Sequence, residues 1–267
     1  MQALEVILQD MKNVVLEAAE MLGNRENAAT ITVKGVSDYV TRVDLQVQQF
    51  ISEKLGEKYP EIQFVGEEKD NSEVDLEKWA WVLDPVDGTT NLIHDYHRSS
   101  ISLALFEKRE PVIGLVYQPY TKELYWAIKG KGAFLNGEQL HVSKVEKMED
   151  SLISIGTAPY HKKEYGKQTF EKIYRVFMDC QDIRRIGSAA IDLAEVAAGR
   201  IDAFFEEELK LWDYGAGKLL VEEAGGVVTR MDGEPLNAAY ISDVLGGNPA
   251  IHKMLVKDYL NERINVL

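Results

Sequence analysis

The chain has a single cysteine, Cys180, among its 267 residues, which excludes an intramolecular disulfide framework and a cysteine-rich zinc site. As a small, weakly polar side chain, Cys180 is expected to be buried rather than nucleophilic. No segment reaches the roughly 18 uninterrupted apolar residues needed to cross a bilayer. The opening Met1-Gln-Ala-Leu-Glu-Val lacks the basic segment and apolar core of a secretion signal. The expectation is a soluble, cytoplasmic protein with no membrane partner. Basic side chains are also in short supply: 30 Lys and Arg against 44 Asp and Glu, a net charge of −14. That balance argues against nucleic acid as a partner. It leaves room for a small phosphorylated substrate, because bound cations reverse a local field. Linkers rich in Pro, Gly or Ser, internal repeats and low-complexity tracts are absent as well.

What the chain does contain is a globular share of apolar residues with clear periodicities. Leu4, Ile7, Met11, Val14, Val15, Ala18, Met21 and Leu22 recur at helical spacing and predict a long amphipathic helix. Thr41-Arg-Val-Asp44 leads into a second helix, with Val43, Val47, Phe50, Ile51 and Leu55 as its stripe. Two short apolar runs, 62–65 and 79–83, read as strands that each end in acidic residues, with a polar loop over 69–75 between them. Segments 100–106, 111–118 and 123–129 predict an antiparallel meander, closed by a Gly-rich hairpin at 130–137. Beyond about Lys147, predicted strands (152–156, 183–186, 203–205) alternate with predicted helices (167–178, 188–198, 213–224). Such alternation implies an α/β layer. The expected organisation is an N-terminal α+β part, residues 1–147, joined tightly to a C-terminal α/β part, residues 148–267.

Chemistry concentrates in Asp84-Pro-Val-Asp-Gly-Thr-Thr-Asn91, directly after the apolar run 79–83. Asp84 and Asp87 enter one small volume there, and two close carboxylates are costly unless a cation sits between them. Hard oxygen ligands of this kind suit Mg²⁺ or Mn²⁺. Gly88, Thr89 and Thr90 can open a helix whose N–H groups face a phosphate. Further acids stand at element ends: Glu67 and Glu68 after 62–65, Asp213 at a helix start, and Asp44 after Thr41. Singly, each has a plain alternative, Asp213 as a helix cap or Glu67 and Glu68 as solvated loop residues. Together they supply what a multi-metal oxygen site needs. Hydrolysis of a phosphate monoester by metal-activated water requires no nucleophilic side chain, in keeping with motifs of acids and threonines.

Gly66-Glu-Glu68, Trp81-Val-Leu-Asp-Pro-Val-Asp-Gly-Thr-Thr-Asn91 and Trp212-Asp-Tyr-Gly-Ala-Gly217 resemble the three signature segments of the inositol monophosphatase family, in order and spacing over nearly the whole chain. The resemblance implies a layered α-β-α-β-α sandwich of the sugar-phosphatase type. It implies two or three Mg²⁺ ions, with Mn²⁺ as a substitute, held by Glu67, Asp84, Asp87, Asp213 and the Val86 carbonyl. Glu67, Asp44 and Thr89 would be catalytic, the last two orienting and deprotonating the attacking water. Gly88, Thr89 and Thr90 would hold the phosphate. Gly187, Ser188 and Ala189, with Glu206, Asp87 and Asp213, would line the polyol pocket. Inhibition by Li⁺ and a homodimer are implied as well.

Inositol monophosphate is the expected substrate. The 2′-phosphate of NADP(H), fructose 1,6-bisphosphate and 3′-phosphoadenosine 5′-phosphate are alternatives, and a non-catalytic regulator on the same scaffold is a more distant one. Three local departures from the family pattern bear on substrate choice: Tyr96-His97-Arg98, Lys69 after Gly66-Glu-Glu68, and the added charge of Glu207-Glu-Leu-Lys210. His94 and His97 are not expected to bind metal, Lys34 is expected on the solvated surface, and Gly130-Lys-Gly132 reads as a turn rather than a phosphate cradle. Arg184 and Arg185 could serve a second phosphate or merely flank a strand.

Overall fold

The computed structural model describes residues 4–23, 25–35 and 38–260. The first apolar stripe forms α1 (Leu4–Ala19), followed by a tighter turn over Glu20–Gly23 and the short α2 (Arg25–Ala28). A hairpin that the apolar pattern does not predict comes next, β1 (Ile31–Gly35) against β2 (Asp38–Thr41). Every residue of β1 is exposed, so the alternation of Ile31 and Val33 with Thr32 and Lys34 faces no core. Thr41 then caps α3 (Arg42–Lys58), accepting from the Val43 N–H.

A sheet of seven strands follows, in spatial order identical to chain order: β3 (Gln63–Gly66), β4 (Ala80–Asp87), β5 (Ser100–Glu107), β6 (Glu110–Gln118), β7 (Glu123–Ile128), β8 (Ala133–Leu135) and β9 (Glu138–Gln139). β3 and β4 are parallel and the rest is the expected antiparallel meander. The short α4 (Thr89–Ile93) lies between β4 and β5.

The second sheet has the order β11-β10-β12-β14-β13. Its strands are β10 (Leu152–Ile155), β11 (Asp182–Arg184), β12 (Ala203–Lys210), β13 (Val227–Thr229) and β14 (Ile241–Gly247). The helices among them are α5 (Gly166–Asp179), α6 (Ala189–Ala197), α7 (Leu211–Glu223) and α8 (Pro249–Met254). β10 is parallel to both β11 and β12, as strand–helix alternation predicts, whereas β14 runs antiparallel to β12 and β13. The boundaries around β12 differ from expectation. The strand predicted at 203–205 runs on to Lys210, and the helix predicted from Asp213 begins at Leu211.

Three apolar clusters show the layering. Ile7, Met11 and Val15 of α1 and Val43, Val47 and Ile51 of α3 pack on Trp81, Leu83, Leu103 and Leu115 of the seven-stranded sheet. Its other face, with Val82, Ala104 and Phe106, packs on α6 and α7 through Leu193, Tyr214 and Leu220, and these reach Phe204 and Val244 of the second sheet. Ile173 and Val176 of α5 and Ile251 of α8 cover the far side, over Ile153, Phe205 and Leu245. The result is the expected α-β-α-β-α sandwich. β4 is buried on both faces throughout, which explains its unbroken apolar run. Each fully buried aliphatic side chain here contributes about 2 kcal/mol. Among the described residues no helix is long and apolar enough to cross a membrane.

Candidate active site

β4 keeps its pairing with β5 past the apolar run: Asp84 faces Ser102 and Asp87 faces Ser100, with a bulge between them. The two carboxylates therefore sit on a bulged strand end rather than on the tight turn the sequence suggests. Pro85 lies in this bulge, where a residue without an N–H is tolerated. Asp84 accepts from the Val86 N–H at 3.0 Å through Oδ1. Asp87 accepts from the Ser188 hydroxyl at 2.5 Å and the Ala190 N–H at 2.7 Å, both through Oδ2. It thus caps the N-terminus of α6, where a negative charge is favoured. Gly88 follows at φ 88°, and a Cβ there would stand 3.0 Å from the Arg98 carbonyl and 3.1 Å from that of Gly187. Glycine is required at this position on both counts.

Asp44 occupies the third position of α3 in a capping box, bonded to the N–H and hydroxyl of Thr41. Its other oxygen accepts from Thr89 Oγ1 at 3.0 Å, and the same hydroxyl lies 3.1 Å from the Val86 carbonyl. Asp44 is fully buried, so it meets the cleft only through Thr89. Asp213 plays the matching part in α7: as the third helical residue, not the cap itself, it accepts from the Lys210 N–H at 2.6 Å. Glu67 follows β3, its N–H held by the Leu83 carbonyl at 3.3 Å. The Lys34 ammonium reaches Glu67 at 3.4 Å and also bonds Glu68. Lys34 lies on the exposed strand β1, as expected of a solvated lysine, and its ammonium also pairs with these two acids at the end of β3.

Glu67, Asp84, Asp87, Thr89 and Asp213 open onto a cleft of about 580 Å³ that also takes in Gly187, Ala189, Glu206 and Arg185. Glu206, on β12, accepts from the N–H groups of Thr157 and Ala158 at 3.0 Å each. Asn91 joins the two sides of the cleft, donating to the carbonyls of Arg98 at 2.7 Å, Ile186 at 3.0 Å and Gly187 at 3.3 Å.

Burial dominates the electrostatics. It raises the carboxyls of Asp84 and Asp213 well above the usual range, reinforced by their neighbours' charges. Asp87 is pushed up to about 6 by burial, against the hydrogen bonds from Ser188 and Ala190. Glu67 is pushed up to about 8 by burial, with Glu68 and Asp44 opposing the Lys34 charge. Each of these acids is anchored through one named oxygen. Among the described residues no three ligand-type side chains already stand as a closed metal cage. The donor set nonetheless fits a hard divalent cation: carboxylate oxygens only, on one cleft, and charged at neutral pH only at a cost that a cation removes.

Of the residues singled out from sequence, Glu67, Asp84, Val86, Asp87, Gly88, Thr89, Thr90, Gly187, Ala189, Glu206 and Asp213 line the cleft. Ser188 does not line it. Its buried hydroxyl lies behind the Asp87 carboxylate, 3.3 Å from Ser100 Oγ, and also caps α6. His94 lies on the cleft wall, while His97 stacks on Tyr120. The Gly130–Gly132 turn binds a carboxylate of the protein itself, both N–H groups donating to Glu223. Cys180 is only partly buried. Sequence reasoning missed Gly156, whose missing side chain leaves room for Glu206, and the bracing part of Asn91. Asn91 had a signal, since it closes the motif; Gly156 had none.

The family model described as the inositol monophosphatase family matches residues 3–263. Over 267 residues the chain is 35% identical to the Nus factor SuhB of Escherichia coli strain K12, covering 97% of this chain and 99% of that protein. It is 38% identical over 259 residues to an inositol-1-monophosphatase of Rhizobium meliloti strain 1021, covering 95% and 96%. The structure of the extragenic suppressor protein SuhB from Bartonella henselae superposes with a TM-score of 0.89 at 32% identity, covering 97% of this chain and all of that one.

Proposed function

The chain belongs to the inositol monophosphatase family, and from that premise we propose that it is a divalent-cation-dependent phosphatase of a small polyol phosphate, inositol monophosphate first. The observation that carries this reading is the convergence of Glu67, Asp84, Asp87 and Asp213 on one cleft beside the hydrogen-bonded pair Thr89–Asp44. Glu67, Asp84, Asp87, Asp213 and the Val86 carbonyl would hold Mg²⁺, which when bound would neutralise charge on the phosphoryl and leaving oxygens and acidify water. The protein's own groups do the rest. Thr89 Oγ1 donates to Asp44, so its lone pairs can accept from a water, whose proton passes along the Thr89–Asp44 pair. The N–H groups at Gly88 and Thr89 hold the phosphate in line with that water. Glu206, fixed by two backbone N–H groups, accepts from hydroxyls of the polyol.

The test is phosphate release from inositol 1-phosphate, NADP⁺, fructose 1,6-bisphosphate and 3′-phosphoadenosine 5′-phosphate, with Mg²⁺ and with excess EDTA. Release that requires Mg²⁺ and ranks inositol 1-phosphate first supports the proposal. A different ranking moves the substrate, not the reaction. A second reading comes from the relative named Nus factor, namely a partner-binding role alongside or in place of hydrolysis. Folded, Mg²⁺-loaded protein that hydrolyses none of the esters would move the conclusion there.

A further inference from the structure

The acids of β12 leave the strand in three directions. Glu206 faces Val244 of β14 and Leu209 faces Ser242, so β12 holds one extra residue between them. Glu208 lies in this bulge at φ 60°, a left-handed conformation that glycine adopts freely and glutamate only at a cost. Glu206 points inward to the N–H groups of Thr157 and Ala158. Glu207 also borders the cleft, but its carboxylate is taken up by Lys172 Nζ and Thr169 Oγ1 at 2.6 Å each. Glu208 is turned to the mouth of the cleft, 4.0 Å from His161 Nε2, with 39% of its side chain exposed. His161 belongs to the turn Pro159–His161, which itself follows a left-handed residue, Ala158 at φ 39°. Strain at two non-glycine residues on one rim of a candidate active site points to function rather than packing.

Charge at this outer end is one-sided. Among the described residues that line the cleft, Arg185 is the one lysine or arginine, its guanidinium 3.3 Å from Thr157 Oγ1 and close enough to Glu206 to hold that carboxyl down against the effect of burial. Lys172, behind the strand, is engaged by Glu207. Glu208 thus adds a second negative charge where Arg185 already answers Glu206. We propose that Glu208 is a specificity-determining residue: its carboxylate selects phosphate monoesters whose far end carries hydroxyls or a positive charge, and turns away those with a second phosphate. This rests on the phosphatase reading above. One unit charge facing another across about 10 Å, at an effective dielectric of about 20 and before salt, sets the scale of discrimination at about tenfold.

The experiment compares wild type with Glu208→Gly and Glu208→Gln on inositol 1-phosphate and fructose 1,6-bisphosphate, at low salt with saturating Mg²⁺. The ratio of kcat/KM, monophosphate over bisphosphate, should fall about tenfold in both variants, through KM for the bisphosphate. The glutamine variant keeps the strained backbone and loses only charge. The glycine variant also loses the strain and should melt at a higher temperature. A ratio within twofold of wild type in both variants overturns the proposal. If neither ester is turned over, the hydrolase reading fails on its own, and selectivity is read from the affinities of the two esters by calorimetry. The same tenfold shift then supports the role of Glu208, and an unshifted ratio, or no binding of either ester, overturns it.

Discussion

Gly156→Ala would test how Glu206 is held without touching the acidic cluster. A Cβ on residue 156 would stand 1.9 Å from the Glu206 carboxyl carbon and 2.1 Å from its Oε2. The backbone cannot yield, because the Gly156 N–H donates to the Phe205 carbonyl at 2.8 Å and β10 is locked in parallel register with β12. The carboxylate must therefore swing out and release the N–H groups of Thr157 and Ala158. Two hydrogen bonds to a charged acceptor contribute about 3–6 kcal/mol gross. Burial also raises the Glu206 carboxyl, so release from the site recovers part of that cost. A net destabilisation of about 1–3 kcal/mol follows.

The kinetic consequence separates binding from chemistry. A displaced Glu206 no longer accepts the polyol hydroxyls, and one lost charged hydrogen bond lowers kcat/KM for inositol 1-phosphate about 10- to 100-fold, mainly through KM. p-Nitrophenyl phosphate offers no such hydroxyls, so its kcat/KM should change less than about threefold. Steady-state rates on both esters, with thermal melts of the same samples, decide the matter. An unchanged KM for inositol 1-phosphate, or equal losses on both esters, would refute the reasoning.

Asp87→Asn should lower phosphate release by at least about 100-fold while its melting temperature in EDTA holds or rises, because it removes a buried charge that repels Asp84 and Asp213; a folded variant with wild-type turnover would contradict the proposed site. Glu67 is held near 8, above its unfolded value, so metal-free stability falls as pH climbs toward 8. His252, held near 4 by burial, loses stability in the other direction, as pH drops below its unfolded value of about 6.5. The rise in melting temperature on adding Mg²⁺ should therefore grow between pH 6.5 and 8, where His252 is neutral in both states; a constant increment would argue against cation binding at these acids. Asn91→Ala removes donors to three carbonyls on both sides of the cleft and should cost about 2–3 kcal/mol. It should also raise KM for every ester tested, whereas a variant with normal stability and kinetics would show the bracing to be dispensable.

Legibility followed local density of signal. α1 and α3 were readable because one apolar stripe repeats over four turns or more, and β4 because both of its faces are buried. The β1–β2 hairpin was not, since its first strand is wholly exposed and its place depends on Lys34 meeting Glu67 and Glu68, more than thirty residues away. β14 was missed for a different reason: its Gly246 and Gly247 pack closely on Leu193 and Ala203, and glycine in a strand weakens the strand pattern. At the site, the acids that line the cleft could be read because metal chemistry restricts which residue types can sit there. Ser188 was placed one layer too far forward. A sequence shows that a hydroxyl adjoins the pocket segment, but not that the Asp87 carboxylate stands between it and the cleft. Glu206 itself was readable only through the resemblance, because its position is set by Gly156, fifty residues upstream in the chain and adjacent only across β10–β12.

The acids come from three layers, and this bears on when the site exists. Asp84 and Asp87 leave the seven-stranded sheet, Glu206 belongs to the second sheet, and Asp213 starts a helix between them. The bonds that aim them cross the same boundaries. Asp87 is held by Ser188 and Ala190 of the α6 N-terminus, Asn91 by the Ile186 and Gly187 carbonyls, and Ser102 Oγ by the Trp212 carbonyl at 3.1 Å. Neither sheet can assemble the cleft before it has docked on α6 and α7. Docking is driven by the apolar cluster that includes Phe106, Leu193, Tyr214 and Phe204, and it is opposed by the repulsion and desolvation of the carboxylates it gathers. A divalent cation lowers only the second quantity, and it does so only in the docked state. Cation affinity and the stability of the interface between the layers are therefore linked, and a substitution that loosens the α6–α7 packing should weaken cation binding without touching a ligand.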